Sequence, residues 1–266
     1  MMDILKIENL KFSYSDCIIF DDLSFSLKER TINAVLGTNS SGKTTLIKLL
    51  SAILISNKSI YLDNLNLTKR TFKEYSKLIG VCFYNNFLFE DVVSELVFSL
   101  ENLNYSNKNI KKRLDEISEL FEINQLLRKK INQLTELERV KVAIASTIMH
   151  QPKIIFLDDM FDNLKYKEYI EISKYLNKIV ERYNITVLYT TNNLENCLIS
   201  DNVIFIDEGK IILQDTVEEI LKKDNTLAKN GLIMPIMVDL SLKLQFYGLV
   251  NEVVMDVEGM VDKLWQ

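Results

Sequence analysis

The chain has 266 residues, 47% of them apolar and 26% charged, with a net charge of −5. That length buries a sizeable core and suits one large domain or two small ones. No run of 18 apolar residues occurs, which excludes a membrane-spanning helix, and the acidic balance argues against a general nucleic-acid binder, which needs a basic face. Met1 leads straight into an alternating pattern, so no secretory signal is expected. Cys17, Cys82 and Cys197 form no C-x-x-C pair and read as half-buried thiols of a reducing compartment. The single histidine, His150, precedes Gln151-Pro152 and reads as a helix-end or surface residue rather than a catalytic group.

Residues 2–12 alternate as a strand, with Ile4, Lys6 and Glu8 on one face and Leu5 and Ile7 on the other. Ser15-Asp16 signals a turn. Residues 18–27 predict a further strand pair with Leu23, Phe25 and Leu27 on one face. Ile32, Ala34, Val35 and Leu36 form a short buried strand. Residues 44–53 follow as a helix with Leu46, Leu49, Leu50 and Ile53 on one face. Short strands are expected over 59–62 and 77–83. From about 85 to 150 the period becomes helical, first through Ile110, Leu114, Ile117, Leu120 and Phe121, then through Val140, Ala143, Ile144, Thr147 and Ile148. This stretch reads as a helical insertion into an α/β core. The core resumes with the apolar strand 153–158, a helix over 165–183 and a strand over 185–189. Residues 203–206 and 210–213 form a hairpin around Glu208-Gly209. A helix over 216–223 opens on a capping box of Thr216 and Glu219. The boundaries drawn are 1–226 for the main domain and 227–266 for a short C-terminal extension.

Between the buried strand and the first helix stands Gly37-Thr38-Asn39-Ser40-Ser41-Gly42-Lys43-Thr44, which fits G-x-x-x-x-G-K-[ST], the phosphate-binding loop. Its glycines let the backbone turn tightly and approach phosphates without a Cβ clash. The N–H groups of residues 39–45, through Ser40, Ser41 and Thr45, can then form an anion nest at a helix N-terminus. Lys43 would reach the β- and γ-phosphates, and the Thr44 hydroxyl would ligate Mg2+. Asp158 ends a later apolar strand, where a phosphate-loop ATPase places the acid that holds Mg2+ through water. The pairing with Asp159 strengthens that signal.

The order of strand pair, phosphate loop, helical insertion, acid-ended strand and hairpin resembles the ATP-binding cassette (ABC) ATPases over nearly the whole chain. Residues 134–145 and 151–159 resemble the family's LSGGQ-x-x-R-V-A-I-A and P-x-I-L-I-L-D-E stretches. The resemblance is closest to the ATPase subunits of energy-coupling factor (ECF) transporters, which import vitamins and metal ions. Residues 81–86 and 97–102 look like that subfamily's VGMVFQN and VAFGLEN, and residues 232–235 and 240–248 look like its C-terminal pairing segment. The resemblance implies an α/β fold with a RecA-like core, an antiparallel β subdomain and an inserted helical subdomain. It implies ATP and Mg2+ as cofactors, with Tyr14 stacked on adenine. It further implies a second ATPase subunit, a transmembrane coupling subunit and a substrate-binding membrane subunit as partners, no nucleic acid, and a peripheral position on the cytoplasmic face of the membrane.

The departures from that pattern fall on catalytic positions. The glutamine that senses Mg2+ and the attacking water is Tyr84, which cannot present an amide carbonyl. The glutamate that acts on water is Asp159, whose carboxylate is withdrawn by more than ~1 Å, and a misplacement of that size can lower a rate on the order of 10²-fold. The switch histidine aligns with Asn192, which cannot become cationic. The D-loop aspartate aligns with Lys165. LSGGQ reads Leu134-Thr135-Glu136-Leu137-Glu138, so two glycines that approach the γ-phosphate become Glu136 and Leu137. Loss of one preorganised donor costs roughly 2.7–4 kcal/mol of transition-state stabilisation. ATP binding with slow hydrolysis is therefore expected. The alternative is a non-hydrolysing, ATP-gated structural subunit whose partner carries the chemistry. A soluble ABC protein of repair or translation is a third reading, disfavoured because such proteins carry two cassettes or long coiled coils.

Overall fold

One short helix lies buried between two sheets, and the carboxyl edge of the larger sheet gathers the motifs. The computed structural model describes residues 2–15, 17–56, 59–251, 253–254 and 257–264. The alternating N-terminal stretch makes a long antiparallel hairpin of β1 (Asp3–Tyr14) and β2 (Cys17–Lys28). Where two strands were expected over 18–27 there is one, because Leu23, Phe25 and Leu27 keep a single buried face throughout. Of the expected turn, Ser15 has φ 47°, while Asp16 lies outside the described residues. Next come β3 (Ile32–Leu36) and α1 (Lys43–Leu50), then β4 (Ile60–Leu62), β5 (Leu65–Asn66), α2 (Phe72–Tyr75) and β6 (Ile79–Phe83).

The helical stretch expected between residues 85 and 150 contains α3 (Val92–Asn102), α4 (Asn107–Leu120) and α5 (Glu136–Ile148). After it follow β7 (Ile154–Asp158), α6 (Tyr166–Tyr183), β8 (Thr186–Thr191), β9 (Asn202–Asp207) and β10 (Lys210–Thr216). The last elements are α7 (Val217–Leu221), α8 (Asp224–Lys229), α9 (Ile236–Phe246) and α10 (Val257–Leu264).

The strands form a four-stranded antiparallel sheet, β2-β1-β4-β5, and a six-stranded sheet, β10-β9-β3-β8-β7-β6. In the larger sheet only β10 runs antiparallel. Its central strands β3, β7 and β8 are buried at every position, as parallel strands covered on both faces must be. Leu46, Ile47, Leu49 and Leu50 of α1 are sealed between the sheets, against Val35, Phe156 and Leu188 on one side and Leu5, Leu10 and Leu23 on the other. Each such side chain contributes roughly 2 kcal/mol by burial. Helix α1 ends at Leu50, where the Ser51 hydroxyl donates back to the Ile47 carbonyl at 2.8 Å. Ile53, expected on the buried face, lies beyond that end and is 59% exposed.

Three further expectations need correcting. Cys82 and Cys197 are buried rather than half-buried, and Cys17 is exposed. Burial pushes the Cys82 thiol up to about 12. His150 stands just past the end of α5, as expected, but is half-buried rather than exposed: its Nε2 meets the Ile79 carbonyl at 2.9 Å and burial holds its imidazole below the usual value. Thr216 caps α7 by accepting the Glu219 N–H at 3.4 Å, but the Glu219 carboxylate turns to Lys222 at 2.5 Å, so the return half of that box is not made. The hairpin at Glu208-Gly209 does form, with φ 44° and 73° as a type I′ turn requires. A Cβ on Gly209 would stand 1.8 Å from the Ile19 carbonyl oxygen, so glycine is needed where this hairpin crosses the smaller sheet. No helix among the described residues is long and apolar enough to cross a membrane.

Candidate functional site

In an open parallel sheet the carboxyl ends of the strands are where ligands gather. Here β3 runs into the phosphate-binding loop, β6 into Tyr84, β7 into Asp158-Asp159 and β8 into Asn192. The register aligns them, with Leu36 opposite Thr191 and Phe83 opposite Asp158. Residues far apart in sequence thus share one edge.

The loop is shaped as an anion cradle. Gly42 has φ 102° and serves as N-cap of α1 with no side-chain cap, and the first turn carries no acid. Those N–H groups and the positive end of the helix dipole are therefore left for a ligand. A Cβ on Gly37 would meet the Ile206 carbonyl oxygen at 2.5 Å. One on Gly42 would press on the Phe20 ring at 3.0 Å. Lys43 is buried and donates to the carbonyls of Gly37 and Thr38 at 2.8 and 3.0 Å, which aims its ammonium along the loop. The Ser41 hydroxyl oxygen is buried without a hydrogen-bond partner among the described residues, a group a phosphate oxygen would satisfy. Asn39 and Ser40 line the mouth of the loop, Ser40 with φ 67°, and Thr45 lies in the first turn of α1.

Asp158 is buried at the end of β7 and accepts the Thr190 hydroxyl at 2.8 Å. Burial pushes its carboxyl above the usual range, while hydroxyl bonds from Thr190 and Thr44 and the Lys43 charge pull it down and Asp159 repels it. Its contact with Thr44 pairs a carboxylate with a hydroxyl, the donor set of a Mg2+ ion that takes its remaining ligands from phosphate and water. Among the described residues no cluster of three His, Cys, Asp or Glu side chains forms a protein-only metal cage. Asp159 has φ 51°, and Thr190 fixes it twice, accepting its N–H at 2.9 Å and donating to its carboxylate at 3.1 Å.

Asn192 leaves β8 exposed at the mouth of the site, its amide donating to the Asn39 side chain at 3.4 Å. Tyr84 donates its backbone N–H to the Asp158 carbonyl at 3.1 Å. Burial and then the Glu136 carboxylate push its phenol above the usual value, so two altered positions, Tyr84 and Glu136, meet within one chain. Tyr14 ends β1, 43% exposed and edge-on to Phe12 with ring centroids 4.9 Å apart. Phe12 pairs with Phe20, the residue that touches Gly42.

The segment 134–138 is the N-terminus of α5. Thr135 is its cap, accepting the Glu138 N–H at 3.3 Å, while Glu138 accepts the Thr135 N–H at 2.9 Å. This is a complete capping box. Burial opposes ionisation of Glu138, but the Thr135 N–H and Lys129 outweigh it and hold the carboxyl below its usual range. With Glu136 beside it, the helix start carries two acids and has used its own side chains as the anion.

Sequence reasoning did not single out Thr190, Asp162 or Asp207. Thr190 binds both acids of the 158–159 pair, Asp162 binds the 191–196 loop, and Asp207 takes the Thr38 hydroxyl at 3.3 Å. Each lies within a few residues of a strand's carboxyl end, the one positional signal that could have marked them.

The model of the ABC transporter family matches residues 20–162. The chain is 28% identical to the energy-coupling factor transporter ATP-binding protein EcfA1 of Oenococcus oeni over 254 residues, covering 93% of this chain and 92% of that one. It is 30% identical to EcfA2 of Caldanaerobacter subterraneus over 257 residues, covering 92% and 90%. Among solved structures, cbiO1 from Clostridium perfringens, part of the ABC transporter complex cbiONQ, superposes with a TM-score of 0.77 at 27% identity, covering 86% of this chain and 94% of that one.

Proposed function

The chain belongs to the ABC transporter family, and from that premise we propose that it is the ATP-binding, energy-coupling subunit of an ECF-type importer for vitamins or metal ions. The observation that carries this reading is the uncapped α1 N-terminus, with Lys43 threaded into its loop and the buried Asp158 carboxylate near Thr44 beside it. In the bound complex residues 39–45 wrap the phosphates, Lys43 neutralises them, and Tyr14 covers the base. Thr44 and Asp158 would hold Mg2+, which would neutralise phosphate charge. Asp159 orients water, and Asn192 contacts the γ-phosphate.

Hydrolysis is slow on this reading. Asp159 has a short reach and is bound to Thr190, and Asn192 is neutral. Two such subunits sandwich two ATP molecules, each against the other's signature segment. The closed capping box and the acids Glu136 and Glu138 weaken the site this chain completes for its partner. The partner is a second ATPase subunit, and the extension 227–266 serves the pairing, with Ile236 and Phe246 of α9 83% and 85% exposed. The membrane subunits dock near residues 84–100. Phe87 packs on the core there, whereas Leu88 is 65% exposed and Phe89 rests on Phe98 with centroids 5.1 Å apart. The subunit thus sits peripherally on the cytoplasmic face of the membrane.

A second reading, a non-hydrolysing ATP-gated subunit, is favoured by the capping box alone. ATP turnover by the purified membrane complex, with Asp159→Asn in this chain beside wild type, separates the two. A clear loss of turnover supports an enzyme site at Asp159. Unchanged turnover with ATP still bound to this chain overturns it in favour of the gated partner.

A further inference from the structure

The loop after β8 is held by an acid that stands outside the phosphate-binding and metal motifs. Asp162 follows the 158–159 pair by one short turn. Its Oδ1 accepts the Thr191 hydroxyl at 2.5 Å and the Asn196 amide at 2.9 Å, and its Oδ2 faces the Asn192 N–H at 3.4 Å. The anchor beneath is itself hydrogen-bonded. The Asn196 carbonyl takes the hydroxyls of both Tyr169 and Tyr189, the latter at 2.6 Å, and Thr191 and Asn196 are buried. On the far side the Thr191 carbonyl accepts the Gly37 N–H at 3.2 Å, and the Asn192 amide reaches Asn39. Asn192 is thereby strung between the Asp162 carboxylate and the phosphate-binding loop.

An acid so close to a triphosphate site repels the ligand unless its charge is engaged. Three donors from one loop engage it here. The arrangement fixes the backbone of an exposed residue whose side chain would otherwise sample several rotamers. We infer that Asp162 is the positioning residue for γ-phosphate sensing, holding the backbone of residues 191–193 so that the Asn192 amide stays at the mouth of the loop. This rests on the role given to Asn192 above. Asp162 touches no nucleotide itself.

The test uses the full chain in its assembled complex and compares ATP with ADP affinity by calorimetry. Asp162→Asn is nearly isosteric and still accepts from Thr191 and Asn196, but it turns an amide donor toward the Asn192 N–H. The variant should fold with an unchanged melting temperature and lose about tenfold in ATP affinity while ADP affinity changes less than twofold. Asn192→Ala should do the same, and the double variant should be no weaker than either single one, because both remove a single contact. Additive losses, or an unchanged ATP-to-ADP ratio in Asp162→Asn while Asn192→Ala shifts it, overturn the positioning role alone. An unchanged ratio in Asn192→Ala overturns both that role and the sensing role of Asn192.

Discussion

Two helix N-termini in this chain face opposite demands, and their residues answer in opposite ways. Helix α1 begins on Gly42, with no side-chain cap and no acid in its first turn. Helix α5 begins on Thr135 with a full capping box and two acids, Glu136 and Glu138. A helix start leaves N–H groups that must be satisfied by side chains, water or a ligand. The first leaves them open, so the nest and dipole favour an incoming anion. The second satisfies them internally and adds negative charge. The comparison teaches that an intact binding loop and a closed signature segment coexist without contradiction. On the proposed function, nucleotide affinity lives at α1, whereas the contribution to a neighbour's phosphate lives at α5.

The largest effect should come from the open end. Lys43→Ala removes the charge threaded along the loop, and ATP affinity measured by equilibrium binding should fall roughly a hundredfold. If affinity is unchanged, the cradle is not the nucleotide site. Next, reopening the closed end with Glu136→Gly and Glu138→Gln together should raise turnover of the assembled complex about tenfold, since one preorganised donor is worth at least that much. Turnover that stays flat would mean that α5 does not face the partner's nucleotide.

A smaller effect concerns stability. Thr135→Ala breaks the capping box and should lower the unfolding free energy by about 1 kcal/mol in chemical denaturation. Smallest is a pH effect from His150. Its folded value is depressed by burial, with Arg113 nearby opposing protonation further. Below about pH 6.5 the unfolded chain therefore binds a proton that the fold resists, and stability falls as pH falls through that window. His150→Gln should flatten the slope of melting temperature between about pH 7 and 5.5, and an unaltered slope would assign the dependence to carboxylates.

Much of the site was legible because its chemistry is local. A phosphate nest needs glycines and a lysine at fixed spacing next to a strand and a helix, and 37–44 supplies them contiguously. Asp158 was legible because an apolar strand ending in acid is itself a local pattern. Thr190 and Asp162 were not, since their bonds to residues about thirty positions away exist only once β7 and β8 lie side by side. Ile53 misled because helical period continues in the sequence past the point where Ser51 turns the backbone aside. The single strand over Cys17–Lys28 was split for the opposite reason: its register shifts against β1 interrupt the alternation without ending the strand.

By itself the sequence determined the strand and helix periods, the anion loop, the acid that follows it and the altered positions 84, 136, 138, 159 and 192. The periods, the loop and the acid rest on residues within one element, where spacing and side-chain chemistry suffice, whereas the altered positions are marked only by the resemblance to the ABC ATPases. Only the tertiary structure decided that Tyr84 meets Glu136, that Thr135 and Glu138 close the α5 N-terminus, and that Asp162 holds the loop bearing Asn192. Those outcomes depend on which hydrogen-bond partners come within about 3 Å when strands and helices pack, and that distance is set by the register of the parallel sheet rather than by any one stretch of chain.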